Sequence, residues 1–232
     1  MSEVIEKKLY VFWTGDNAMS DDRKFCLDSI YATSGVEVVL VTKDNLNSFI
    51  VKERPIHPCY EYLSFTHRAD YLTAYFMHHY GGAKSDIKEN YFDWNRHFDL
   101  AEKNCSWVYG YREFNQETVA KKGEFLGEIL SFEWHKLIGC GAFICRKNTP
   151  LTEEWFETVE KILDIKEDEL KRNPASYAQD HFGSKIPNTE TKSKYPLGWS
   201  EIYGDVIHPL FYKYNHTITN SLPPLKIWRP YR

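Results

Sequence analysis

The chain has 232 residues, 42% hydrophobic and 27% charged, the composition of a soluble globular protein able to bury a sizeable core. Its 29 Lys+Arg against 33 Asp+Glu leave a net charge of -4, and without a basic field or a long block of like charges nucleic acid is not an expected partner. No stretch reaches the roughly 18 apolar residues of a membrane span, and the opening MSEVIEKKLY lacks the apolar segment of a signal peptide, so a cytoplasmic location is expected.

Lys8 to Trp13 is a short apolar run that stops at Thr14-Gly15-Asp16-Asn17, which reads as a buried strand ending in a loop. Ser20 followed by Asp21 and Asp22 marks a helix start, with Phe25, Ile30 and Tyr31 facing inward before Gly35. Val36 to Thr42 is β-branched and almost wholly apolar, a second buried strand, parallel to the first because a helix separates them.

From about Tyr60 to Tyr80 the spacing predicts a long helix closed by Gly81-Gly82. Leu63, His67, Asp70, Ala74 and Met77 follow one another at helical spacing beside an apolar stripe of Ala69, Leu72, Phe76 and Tyr80. Ala83 to Ile87 is then a short extended segment, with Asp86 and Lys88 on one side. Ser106 to Tyr111 and Leu137 to Arg146 are further strand candidates, and a helix is expected from about Thr152 to Lys171. The last 60 or so residues show no clear period, and no linker or repeat divides the chain. The reading is one α/β domain.

Five cysteines at irregular spacing, without a CxxC pair, indicate neither a disulfide framework nor a zinc knuckle. The absence of GxGxxG and GxxxxGK[ST] segments argues against a dinucleotide or P-loop enzyme. Sixteen Tyr and 7 Trp could stack on sugars or bases, but such side chains fill cores as well. Trp13, Thr14 and Gly15 end the first strand, where a doubly wound sheet places its ligand.

The segment FTHRADYLTAYFMHHYGGAKSDIK, Phe65 to Lys88, resembles a signature of the capsular-polysaccharide-synthesis and sugar-binding DxD group of glycosyltransferases, including those of bacteria and large algal viruses. In that group a helix bearing (A/S)-D, then GG, leads to a short strand ending in D-x-D. Here these are Ala69-Asp70, Gly81-Gly82 and Asp86-Ile87-Lys88. The likeness extends to Trp13-Thr14-Gly15, GAFICRKNTPLTEEW and GWSEIYGDVIHP.

The resemblance implies a single GT-A (Rossmann-like) domain over residues 1–232, with a mostly parallel central sheet flanked by helices. About 1–100 form the nucleotide-sugar half and about 101–232 the acceptor half. It further implies transfer of a hexose from a nucleotide-diphosphate sugar, UDP-glucose first, to a glycan acceptor, with retention at the sugar carbon. Donor contacts are expected from Trp13, Thr14, Gly15, Arg68, Asp70, Ser85, Asp86 and Lys88.

Lys88 stands where the group has its second Asp. Either Asp86 still holds Mn²⁺ or Mg²⁺ against the diphosphate, with His208 as a distant ligand by similarity, or Lys88 itself neutralises the diphosphate. The metal is the expected arrangement. Thr73 occupies a place where the group often has Arg, and Arg68 or Lys84 would supply the missing charge. Asp180, Glu201 and Asp205 are late carboxylates that could reach the acceptor or the sugar, and Asp86, Lys88, Asp180 and Glu201 are the catalytic candidates. A non-catalytic carbohydrate- or nucleotide-sugar-binding domain and a nucleotide-sugar hydrolase stand as alternatives.

Overall fold

The computed structural model describes residues 4–120 and 123–226. The first strand, β1 (Lys8–Trp13), is followed by helix α1 (Asp21–Thr33), capped by the Ser20 hydroxyl on the Arg23 amide, and by β2 (Glu37–Thr42), parallel to β1. Helix α2 (Phe65–His79), β3 (Gly82–Ser85), α3 (Trp94–Lys103) and β4 (Val108–Arg112) come next. They are followed by α4 (Glu124–Phe132), β5 (Ile138–Cys145), α5 (Pro150–Arg172), α6 (Gly204–Lys213) and the two-residue β6 (Ile218–Thr219). One six-stranded sheet of order β2-β1-β3-β5-β4-β6 joins them. Only β5 runs antiparallel to its neighbours, so the sheet is mixed and mostly parallel, and both halves of the chain contribute three strands.

Alternation along the strands divides the core in two. From β1, Tyr10 and Phe12 enter a cluster with Leu72 and Phe76 of α2, Trp155 and Val159 of α5 and Ile207 and Phe211 of α6. Leu9 and Val11 face the other way, onto Cys26 and Ile30 of α1 and Trp94 and Phe98 of α3. A strand buried on both faces has to be apolar throughout, which is why KLYVFW carries no alternating pattern. No helix among the described residues is long and apolar enough to cross a membrane, and the side chains of Cys26, Cys59 and Cys145 are buried.

Several expectations need correction. Helix α1 turns Cys26, Leu27 and Ile30 inward, leaving Phe25 and Tyr31 exposed. Strand β2 lies at the sheet edge and is mostly half-buried, so its β-branched run reflects one covered face. The long helix does not begin at Tyr60: Pro58–Tyr62 is a short 3-10 turn, Leu63 is extended, and α2 starts after Ser64, whose hydroxyl accepts the His67 amide. Helix α5 begins at Pro150, two residues early, because Thr149 and Thr152 form a reciprocal capping box. Helices α3, α4 and α6 fall where no helix is expected. In α6 an internal Pro209 and a start without a side-chain cap hide the pattern.

The glycine pair closing α2 is set by geometry. Gly81 and Gly82 have φ of +66° and +83°, and a Cβ on Gly82 would lie 2.8 Å from the Lys8 carbonyl oxygen of the neighbouring strand. Gly82→Ala therefore combines a left-handed strain of about 1–3 kcal/mol with a backbone clash. Chemical denaturation should show a lower midpoint at unchanged m; an unaltered midpoint would show that this turn tolerates a side chain.

Candidate functional site

From β1 the chain passes to β2 on one side and later to β3 on the other, and at this reversal the loops after neighbouring strands part to leave a crevice. A cleft of about 980 Å³ opens there. Trp13, Thr14 and Gly15 leave β1 along its wall. The Trp13 indole nitrogen donates to the Asn17 carbonyl, Arg23 lies over the indole ring, and Tyr60 donates to the Thr14 hydroxyl at 3.2 Å. A Cβ on Gly15 would come within 2.4 Å of the Phe65 ring, so glycine is what lets this loop lie against the start of α2.

The centre of the cleft is built at the end of β3. Lys84, 4% exposed, pairs with Tyr10 of β1 across the sheet, and its side chain emerges beside the Asp86 carboxylate. The Lys84 ammonium donates to Asp86 Oδ1 at 2.5 Å and to the Cys140 carbonyl at 3.0 Å, and lies over the Tyr203 ring. After Ser85 the strand ends: the Lys88 amide bonds back to the Asp86 carbonyl, a tight turn that swings Lys88 Nζ to 2.8 Å from Asp86 Oδ2. Asp86 and Lys88 thus share a side, through a turn rather than through continued alternation. Burial pushes the Asp86 carboxyl upward, but the two ammonium groups outweigh it and hold the group well below the usual carboxylate range.

Asp70, on α2, also lines the cleft. It keeps part of its surface open, yet enough protein covers it that burial is the largest influence and raises its carboxyl to about 8, against the pull of Lys84 and with the repulsion of Asp86. It therefore holds a proton at neutral pH and presents a donor as well as an acceptor. Thr73, one turn further along α2, spends its hydroxyl on the Ala69 carbonyl at 2.7 Å.

Of the other expected site residues, Ser85 and His208 line the cleft and the rest do not. Ser85 lines the cleft, with its hydroxyl on the Asp86 carbonyl. Arg68 turns from the cleft to bind the Leu63 and Glu61 carbonyls, bracing the break before α2. Asp180 is buried and accepts from the amide and hydroxyl of Ser176, so it ties a loop instead of facing a substrate. Glu201 accepts from the Gly198 amide and pairs with Lys166, and Asp205 accepts from the Ser200 hydroxyl. These three carboxylates are satisfied where they stand.

His208 does line the cleft, 2% exposed, with its Nε2 at 3.3 Å from the Cys140 sulfur and 3.6 Å from Glu113 Oε2. Burial resists a charge on this ring, and Cys140 and Glu113 draw it upward. The Ala120 amide donates to Nδ1 at 3.0 Å, so Nε2 is the ring nitrogen that faces Cys140 and Glu113.

The donor set does not fit a resident Mn²⁺ or Mg²⁺. Both Asp86 oxygens accept from ammonium groups, His208 Nδ1 accepts from the Ala120 amide, and its Nε2 is turned to Cys140 and Glu113. No group of three His, Cys, Asp or Glu among the described residues is disposed to hold a metal ion. Sequence reasoning singled out Lys88 and passed over Glu113, Cys140 and Tyr203. The last three come together only because β5 runs antiparallel and brings its first residues to the end where β3 and β4 finish.

Comparisons with protein-family models, with curated proteins and with solved structures found no match to the chain. Its own geometry defines an α/β protein with a ligand-sized cleft at the reversal of a mixed sheet, lined by two lysines, a paired carboxylate and a protonated one.

The Asp70 carboxyl gives a pH test. Its native pKa of about 8 lies above the 3.8 of a free Asp, so between these values the folded state binds more protons than the unfolded one and loses stability as pH rises. Asp70→Asn removes that slope: its melting temperature should exceed that of the wild type by several degrees at pH 8 and match it near pH 4. Parallel melting curves for the two proteins from pH 4 to 8 would instead place the titration elsewhere.

Proposed function

We propose that this chain is a glycosyltransferase of GT-A type that moves a hexose from a nucleotide-diphosphate sugar, with UDP-glucose the first choice, to a glycan acceptor. The observation that carries this reading is the convergence, in one cleft at the sheet's switch point, of Trp13-Thr14-Gly15, Asp70 and the Lys84-Asp86-Lys88 cluster. The size suits a nucleotide sugar. Trp199 and Phe114, half-exposed on the cleft wall, offer flat faces for sugar rings.

In the transfer, the bond from the sugar's anomeric carbon to the β-phosphate oxygen breaks and its electron pair stays on the leaving nucleoside diphosphate. The acceptor hydroxyl oxygen bonds to that carbon. With retention, the outcome the resemblance implies, the hydroxyl proton passes to the departing diphosphate oxygen. What the protein must supply is fixed positive charge where the diphosphate gains negative charge, and a wall that keeps out competing water.

A second reading has its own support. Because Asp86 is held between two ammonium groups, a cleft that binds a nucleotide sugar without turning it over is consistent with the same geometry. Incubation with a panel of UDP- and GDP-sugars and oligosaccharide acceptors separates the readings. Sugar transfer that depends on the acceptor is the expected result. Release of free sugar at a rate indifferent to acceptor would make the chain a hydrolase, and binding without nucleotide release would make it a binding domain.

A further inference from the structure

We propose that Lys84 and Lys88 together form a metal-free diphosphate clamp, with Asp86 as the internal anion that keeps both ammonium groups in place until a diphosphate arrives. The inference rests on the nucleotide-sugar reading and gives its cleft a mechanism.

The two lysines differ in how they are held. Lys84 is buried, and a buried ammonium needs compensating partners. It has the Asp86 carboxylate, the Cys140 carbonyl and the face of Tyr203, whose hydroxyl donates at 2.6 Å to that same carbonyl. Lys88 comes from the turn that ends β3 and reaches the other oxygen of the same carboxylate. Gly141 lies beside the pair: a Cβ there would meet Asp86 Oδ2 and Lys88 Nζ at an ordinary contact distance of 3.5 Å and would crowd the Tyr111 hydroxyl at 2.8 Å.

Two ammonium groups converge on the two oxygens of one carboxylate at the cleft centre. The phosphate oxygens of a diphosphate can replace or share the Asp86 oxygens on ammonium groups that are already oriented. As the sugar–phosphate bond breaks, the charge gathering on the β-phosphate meets these fixed cations, the service a divalent ion performs elsewhere. A cation on Asp86 would first have to displace both lysines.

The two accounts predict opposite behaviour, read by titration calorimetry of the full chain after metal stripping, with UDP and UDP-glucose as probes. The clamp requires binding in EDTA with an affinity within about threefold of that in Mn²⁺. Lys88→Ala should weaken UDP binding about tenfold or more, through loss of a charge-assisted bond, and Lys88→Arg should restore most of it. Circular dichroism of each variant confirms its fold, and the wild-type titration stands without them.

Binding seen only with Mn²⁺, or left unchanged by Lys88→Ala, would overturn the clamp and leave the nucleotide-sugar reading intact. No binding of UDP, GDP or their sugars, with Mn²⁺ or without, would remove both.

Discussion

One carboxylate held between two ammonium groups, at the end of a four-residue buried strand, is the interaction around which the cleft is organised. Without Asp86, Lys84 would be an ammonium buried against the sheet with one carbonyl and one aromatic face for company. Without Lys84 and Lys88, Asp86 would be a carboxylate in a site whose burial pushes its proton affinity upward, as it does at Asp70. The three charges make one another affordable, and they do so at the point where a doubly wound sheet leaves room for a ligand.

The sheet topology places that cluster. Strand β3 lies between β1 on one side and the antiparallel β5 on the other, and the Asp86 amide donates to the Gly141 carbonyl at 2.7 Å as the pairing runs out. The same reversal sets the start of β5 beside the ends of β3 and β4. Cys140, Glu113 of the β4 exit and His208 of α6 thereby form the far wall. His67, buried on α2, fastens this architecture from outside: its ring meets the Gly198 and Trp199 carbonyls and the Tyr195 hydroxyl. That bond set ties the helix that carries Asp70 to the loop that carries Trp199.

Much of this was legible in the sequence, for identifiable reasons. β1 and α2 are buried deeply enough that their composition is dictated by packing, and the Ser20 cap and the Gly81-Gly82 pair are local rules obeyed locally. That Asp86 and Lys88 share a side was read from strand alternation, but a turn delivers it, and their ion pair was not foreseen. What was illegible depends on distant parts of the chain. His208 reads as a free ligand until the Ala120 amide is found on its Nδ1, 88 positions away. Asp180 and Glu201 read as available acids until Ser176 and Gly198 are seen to occupy them. Lys84 carries the same period as Asp86 and Lys88, but only its pairing beside Tyr10 and beneath Tyr203 turns a strand lysine into part of a site.

A structure of the chain crystallised with UDP at saturating concentration addresses the central claim most directly. The account predicts the diphosphate at the end of β3, with oxygens within hydrogen-bond distance of Nζ of both Lys84 and Lys88 and the uracil toward Trp13-Thr14-Gly15. A diphosphate bound elsewhere on the molecule, or in this cleft with both lysines still on Asp86 and neither on phosphate, would contradict it.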